Sequence, residues 1–213
     1  MRAMRIFGTE FIGTFFLVLT IGCTGIASAP GVIPPLAIGA VLMVMVYAGG
    51  HLSGAHYNPA VTAGAFLRGA TPARDVGTYV VAQIAGALAA AALVLFLKVG
   101  ESVTALTPNA SRAFAAEFLF TFALVWVVLN TATVKSVAGN SYFGLAIGFT
   151  VLAGAFAVGD VSGGAFNPAV AVGAMMMGLL PWSQLWLYLI AEIAAAAVAA
   201  LVFRAVVRDE PAR

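Results

Sequence analysis

The sequence predicts an all-α membrane protein of six transmembrane helices and two re-entrant half-helices, arranged as an inverted 3+3 repeat. Three observations carry that prediction: a composition too apolar for water, a division into six long and two short apolar segments, and motifs that recur in one order in both halves. Of the 213 residues, 62% are hydrophobic and 8% charged, against about 25% charged in soluble domains. A helix needs about 20 apolar residues to cross a bilayer, so the chain holds six crossings and short connections. Residues 1–213 read as one membrane domain built of repeats over about 1–105 and 106–213.

The net charge is +2, but the cationic residues are scattered, which leaves no footprint for nucleic acid. Cys23 is the single cysteine, so no internal disulfide framework exists, and it reads as a small packed helix residue. The N-terminus runs from Met1-Arg2-Ala3-Met4-Arg5 into apolar sequence without a cleavage site and reads as a retained first helix.

Charges and Pro/Gly punctuation mark long apolar spans at about 6–29, 34–50, 76–97, 113–134, 136–159 and 182–203. Two further apolar pieces, 58–67 and 167–178, are too short to cross at about 1.5 Å per residue. Each must stop near the midplane. Non-helical backbone at that depth survives only where protein buries it or a watery cavity solvates it, so a re-entrant pair implies a lumen. An even number of spans places both termini on one side. Arg2, Arg5, Arg68, Arg74, Lys135, Arg204, Arg208 and Arg213 fall on that side, and Lys98 and Arg112 on the other, which predicts cytoplasmic termini; the expected location is the cell (plasma or inner) membrane.

The halves repeat. Gly8-Thr9-Glu10-Phe11 matches Ala115-Ala116-Glu117-Phe118; Ser53-Gly54 through Asn58-Pro59-Ala60-Val61 matches Ser162-Gly163 through Asn167-Pro168-Ala169-Val170; Ala82-Gln83-Ile84 matches Ala191-Glu192-Ile193. The offsets are 107 to 109 residues. Three crossings per half force the second copy to enter upside down, about an axis in the membrane plane. The short segments then meet from opposite faces.

Asn-Pro is a helix-start signal: Asn suits the N-cap, and Pro suits the first helical position, where its missing N–H is not needed. A single Asn-Pro-Ala would be a bland helix start; two at matching repeat positions are not. Each half-helix aims its positive end, about half a charge, at the bilayer centre. There, the Asn58 and Asn167 amides can donate to a passing oxygen while the dipoles repel cations. Nothing in this arrangement needs a nucleophile, metal or cofactor.

The duplicated Asn-Pro-Ala-Val boxes, with Ser53-Gly54, Ser162-Gly163, Glu10 and Glu117, resemble the aquaporin, or major intrinsic protein, family over essentially the whole chain. The resemblance implies a right-handed bundle of six helices and two half-helices, a homotetramer with one pore per subunit, and passive permeation of water and small neutral solutes. It also implies that Glu10 and Glu117 accept hydrogen bonds from the re-entrant loop of their own half, holding carbonyls toward the pore. A carboxylate facing the pore directly would attract cations. Glu192 stands where many members have proline, and packing, loop bonding and a novel role stay open for it. His51 and His56 flank the first box; a pH switch is one reading, and loop support through backbone carbonyls is the preferred one. Gly144, Gly148 and the Ala-rich stretches near 85–92 and 194–200 read as small-residue helix packing rather than a ligand surface.

The sequence departs from the family at the constriction. Many members follow the second Asn-Pro-Ala with arginine; here the residue is Val170. Counting from the boxes against the family pattern, the resemblance implies that the other filter positions are Ile38, Ala155 and Gly164. This filter is expected to be wider and less polar than usual, admitting metalloid hydroxides, glycerol, urea or ammonia with water alongside. Glycerol-type members commonly carry aspartate next, where this chain has Ala171. The alternatives are a water-selective pore and a non-conducting structural membrane protein of the same fold. An enzyme is not expected: the acidic residues lie on separate helices and no paired acid and base or metal cluster emerges.

Overall fold

The computed structural model describes residues 1–26 and 31–207. Its eight α-helices run α1 Arg2–Gly25, α2 Ile33–Ser53, α3 Pro59–Arg68, α4 Ala73–Leu97, α5 Ala110–Ala132, α6 Phe143–Ser162, α7 Pro168–Met176 and α8 Leu185–Val206, the last entered through a 3-10 turn at Trp182–Gln184. Six are long and apolar enough to cross a membrane. The other two, α3 with 10 residues and α7 with 9, reach only about 15 Å at about 1.5 Å per residue.

Local chemistry sets several helix starts. Pro34 and Pro35 open α2, and Pro72 precedes α4. Asn109 caps α5 by accepting the Arg112 N–H at 3.2 Å. The fifth span starts later than the hydropathy expects, at Phe143 instead of 136. Asn140 is the reason: its Nδ2 donates to the carbonyls of Thr131 and Val137, both at 2.8 Å, and its Oδ1 accepts the Tyr142 N–H at 3.2 Å. That turn occupies backbone groups a helix would need. At the end of the first span, α1 stops at Gly25 with Ile26 extended; residues 27–29 of the expected span lie outside the described residues, as do Arg208 and Arg213.

The repeats interleave. Helix α1 packs on α4 as α5 packs on α8, and α1 on α2 as α5 on α6. Each half-helix crosses over to the other repeat, α3 against α8 and α7 against α4. At the crossing of α2 and α6, a Cβ on Gly39 would lie 2.9 Å from the Gly148 carbonyl oxygen, and one on Gly148 would lie 2.5 Å from that of Gly39. These two glycines are repeat equivalents, and only hydrogen fits at either. Ala82, Ala87, Ala90 and Ala91 on α4, with Ala191, Ala195, Ala196 and Ala199 on α8, are fully buried, so small residues bring these backbones close. Large apolar residues such as Val81, Leu119, Phe149 and Leu201 face outward, as lipid contact requires.

Candidate pore and its constriction

The re-entrant loops begin where α2 and α6 end on left-handed glycines, Gly54 at φ 92° and Gly163 at φ 89°. Beyond them the backbone stays strained: Ala55, Tyr57 and Phe166 take φ of 52°, 50° and 48°. Left-handed non-glycine residues persist only where surroundings over-determine them. Here buried carboxylates do so. Glu10 accepts Ser53 Oγ at 2.6 Å, the His56 N–H at 3.0 Å, the Tyr57 N–H at 2.6 Å and Gln83 Nε2 at 2.8 Å. Glu117 repeats the pattern with Ser162 Oγ at 2.7 Å, the Ala165 N–H at 3.0 Å and the Phe166 N–H at 2.6 Å. Both are fully buried, and each carboxylate acts as the acceptor in all of these bonds. The hydroxyls of Tyr79 and Tyr188 then donate to the Ser53 and Ser162 carbonyls.

The loops hand over to the half-helices at the two asparagines. Asn58 Oδ1 accepts the Ala60 N–H at 2.8 Å, and Asn167 Oδ1 accepts the Ala169 N–H at 3.0 Å, with Pro59 and Pro168 at the first helical positions. The amide nitrogens reach across the repeat axis: Asn58 Nδ2 donates to the Phe166 carbonyl at 2.8 Å, and Asn167 Nδ2 donates to the Tyr57 carbonyl at 2.9 Å. Each amide carries two N–H groups, so one remains at each asparagine after this exchange.

A cavity of about 290 Å³ runs past this point, room for several waters. Asn58 and Asn167 both line it, and so do Ile38, Ala155, Gly164 and Val170. Helices α2 and α6, the second loop and the first turn of α7 therefore bring the four residues counted from the boxes into one space. The walls follow the repeat: Leu17 pairs with Leu124, Ile38 with Ile147, Leu42 with Val151, Ala55 with Gly164 and Val61 with Val170. Sequence reasoning missed Leu17, Leu42, Ala55, Val61, Leu124, Ile147 and Val151. The offset of 107 to 109 residues was the signal that could have found the second member of each pair.

His56 also lines the cavity. Its Nδ1 lies 3.0 Å from Thr62 Oγ1, and its ring stacks on Tyr79 with centroids 4.4 Å apart. It thus ties loop to half-helix through a hydroxyl, where a backbone carbonyl was expected. His51 departs further: it is exposed in the last turn of α2, and among the described residues it makes no hydrogen bond to the loop. Because α2 stays helical through Ser53, residue 51 points off the helix before the re-entrant chain begins.

Six helices long and apolar enough to span a membrane, with two half-helices meeting at a shared cavity, define a membrane channel of the aquaporin type. The chain belongs to the major intrinsic protein family, whose model matches residues 1–203. It is 36% identical over 200 residues to aquaporin NIP1-4 of Oryza sativa subsp. japonica, covering 90% of this chain and 72% of that one. Nodulin-26 of Glycine max is 35% identical, with 92% and 76% covered. The fold is similar to the aquaglyceroporin from Plasmodium falciparum, with a TM-score of 0.80, 21% identity, and 96% and 97% of the two chains covered. The family is one of channels for water and small neutral solutes, not of enzymes, and this multi-pass membrane protein is such a channel.

Proposed function

We propose that the chain is a passive channel whose wide, apolar constriction passes water together with uncharged solutes such as metalloid hydroxides, glycerol, urea or ammonia. The observation that carries this reading is the convergence of Ile38, Ala155, Gly164 and Val170 on the cavity shared by the two asparagines. None of the four side chains brings a charge or a donor, so a solute crossing there meets hydrocarbon and backbone. At the midplane, the second N–H of Asn58 and of Asn167 is placed to donate to a solute oxygen. An oxygen accepting both bonds is poorly placed to relay a proton, and the positive ends of α3 and α7 oppose cations. Glu10 and Glu117 hold the loop N–H groups on the protein side, which favours a carbonyl edge toward the lumen.

Cytoplasmic termini follow from the distribution of Lys and Arg. The Arg2–Asp75 ion pair at 2.7 Å, which joins the chain start to the head of α4, is consistent with both lying on one face. A homotetramer with one pore per subunit, in the plasma or inner membrane, is the assembly that the family resemblance supports. Stopped-flow light scattering of proteoliposomes, run in parallel with water, glycerol and an arsenite-type solute, tests the function. Flux of water together with at least one larger solute is expected. Water alone would favour the water-selective reading, and no flux above empty vesicles the non-conducting one.

A further inference from the structure

Glu192 has no role in the pore as described above, yet it is fully buried on α8 behind the second loop. Its Oε1 accepts the Asn167 N–H at 3.0 Å, so it touches the backbone of the pore asparagine directly. Its Oε2 is buried with no donor to accept from among the described residues, although the side chain lies against that of Glu117. Two carboxylates cannot bond to each other without a proton between them. Glu117 already receives three donors and is suited to stay ionised, while Glu192 receives one.

The first repeat shows what belongs in this position. Gln83, the equivalent of Glu192, donates its Nε2 to Glu10 Oε2 at 2.8 Å. A neutral glutamic acid can perform the same donation toward Glu117; an ionised one cannot. We infer that Glu192 is a positioning residue held as a neutral carboxylic acid, its Oε2–H donating to Glu117 while its Oε1 fixes Asn167 at the pore. The titratable groups facing it are Glu117 from α5 and Tyr188 from its own helix, whose hydroxyl is engaged with the Ser162 carbonyl. Helix α7 contributes none, and on α3 the sole titratable group, Arg68, sits against Phe203, three turns along α8. Among the described residues no cation is therefore at hand to balance a second charge beside Glu117, and a buried pair of like charges is strongly disfavoured.

The positional part rests on Asn167 lining the pore; the protonation does not. The test compares detergent-solubilised wild type with Glu192→Gln and Glu192→Leu at neutral pH by infrared difference spectroscopy, and the same proteins by vesicle flux of water and glycerol. Wild type should show the carbonyl band of a protonated carboxylic acid, shifted by deuterium exchange and lost in both variants. Glu192→Leu, which removes acceptor and donor, should lose flux, and Glu192→Gln, which copies Gln83, should restore it to within about twofold of wild type. Absence of the band would overturn the inference, as it would if a buried water bridged two ionised groups. So would a Gln variant as impaired as Leu. If no protein conducts at all, the channel reading fails while the infrared result still decides the proton.

Discussion

Asn58 and Phe166 are 108 residues apart in sequence, and the Asn58 side-chain amide donates to the Phe166 carbonyl at 2.8 Å. The reciprocal bond runs from Asn167 to Tyr57. One residue type thus caps its own half-helix through oxygen and ties down the opposing strained loop through nitrogen. The two functions are separable. Asn58→Ala loses both, and the cap alone is worth about 0.5–2 kcal/mol, with about 1–3 kcal/mol more for an orphaned buried carbonyl. Thermal unfolding in detergent should fall clearly for Asn58→Ala. Asn58→Asp keeps the cap oxygen but removes the donor and adds a negative charge, so cation leak in vesicles should rise. An Ala variant as stable as wild type would count against the cross-loop bond.

Val170 lines the cavity beside Ile38, Ala155 and Gly164. An arginine there would add volume, five donors and a permanent charge. Val170→Arg should lower flux of glycerol-sized or metalloid-hydroxide solutes much more than flux of water, at matched protein density. Equal flux of the larger solute in both proteins would move control of passage to another position.

If Ile38, Ala155, Gly164 and Val170 form the constriction as proposed, no charged group stands there and charge exclusion would fall mainly on the ends of α3 and α7. Proton leak under a membrane potential, followed with a pH-sensitive dye, should exceed that of the Val170→Arg variant and remain small beside the water flux. A large proton current through the wild type would show that paired helix ends do not suffice.

Gly148 and Gly8 provide a matched pair. A Cβ on Gly148 would meet the Gly39 carbonyl oxygen at 2.5 Å, while one on Gly8 would meet nothing within 4 Å. Backbone cannot step aside as a side chain can, so Gly148→Ala should destabilise by about 1–3 kcal/mol or more. Gly8→Ala should stabilise α1 by roughly 0.5–1 kcal/mol through the lost entropy of glycine. Opposite shifts in unfolding temperature check both.

Much of the architecture is local chemistry written along the chain. Long apolar runs must cross a bilayer, Asn-Pro must start a helix, and a short helix that starts at the midplane must have a partner; residues 58 and 167 announce all of this by type and spacing. For Glu10 and Glu117, an ionisable group in an apolar span marked only residues that need a role; it was the family resemblance that implied their bonds to the loops. The late start of α6 was not legible: whether Asn140 folds back on Thr131 or joins a helix depends on a competition that hydropathy does not see. Nor could the sequence say that Gln83 and Glu192, on the last helix of each repeat, would close over the loops, or that His56 would reach Thr62 while His51 would not. The pore wall shows the limit best. Leu17 and Leu124 line the cavity, whereas Phe16 and Leu119 on the same helices face outward. In water a buried face announces itself by contrast with a polar one. In a bilayer the lipid face and the lumen face are both hydrocarbon, so only the packing of all eight helices decides which leucine a solute meets.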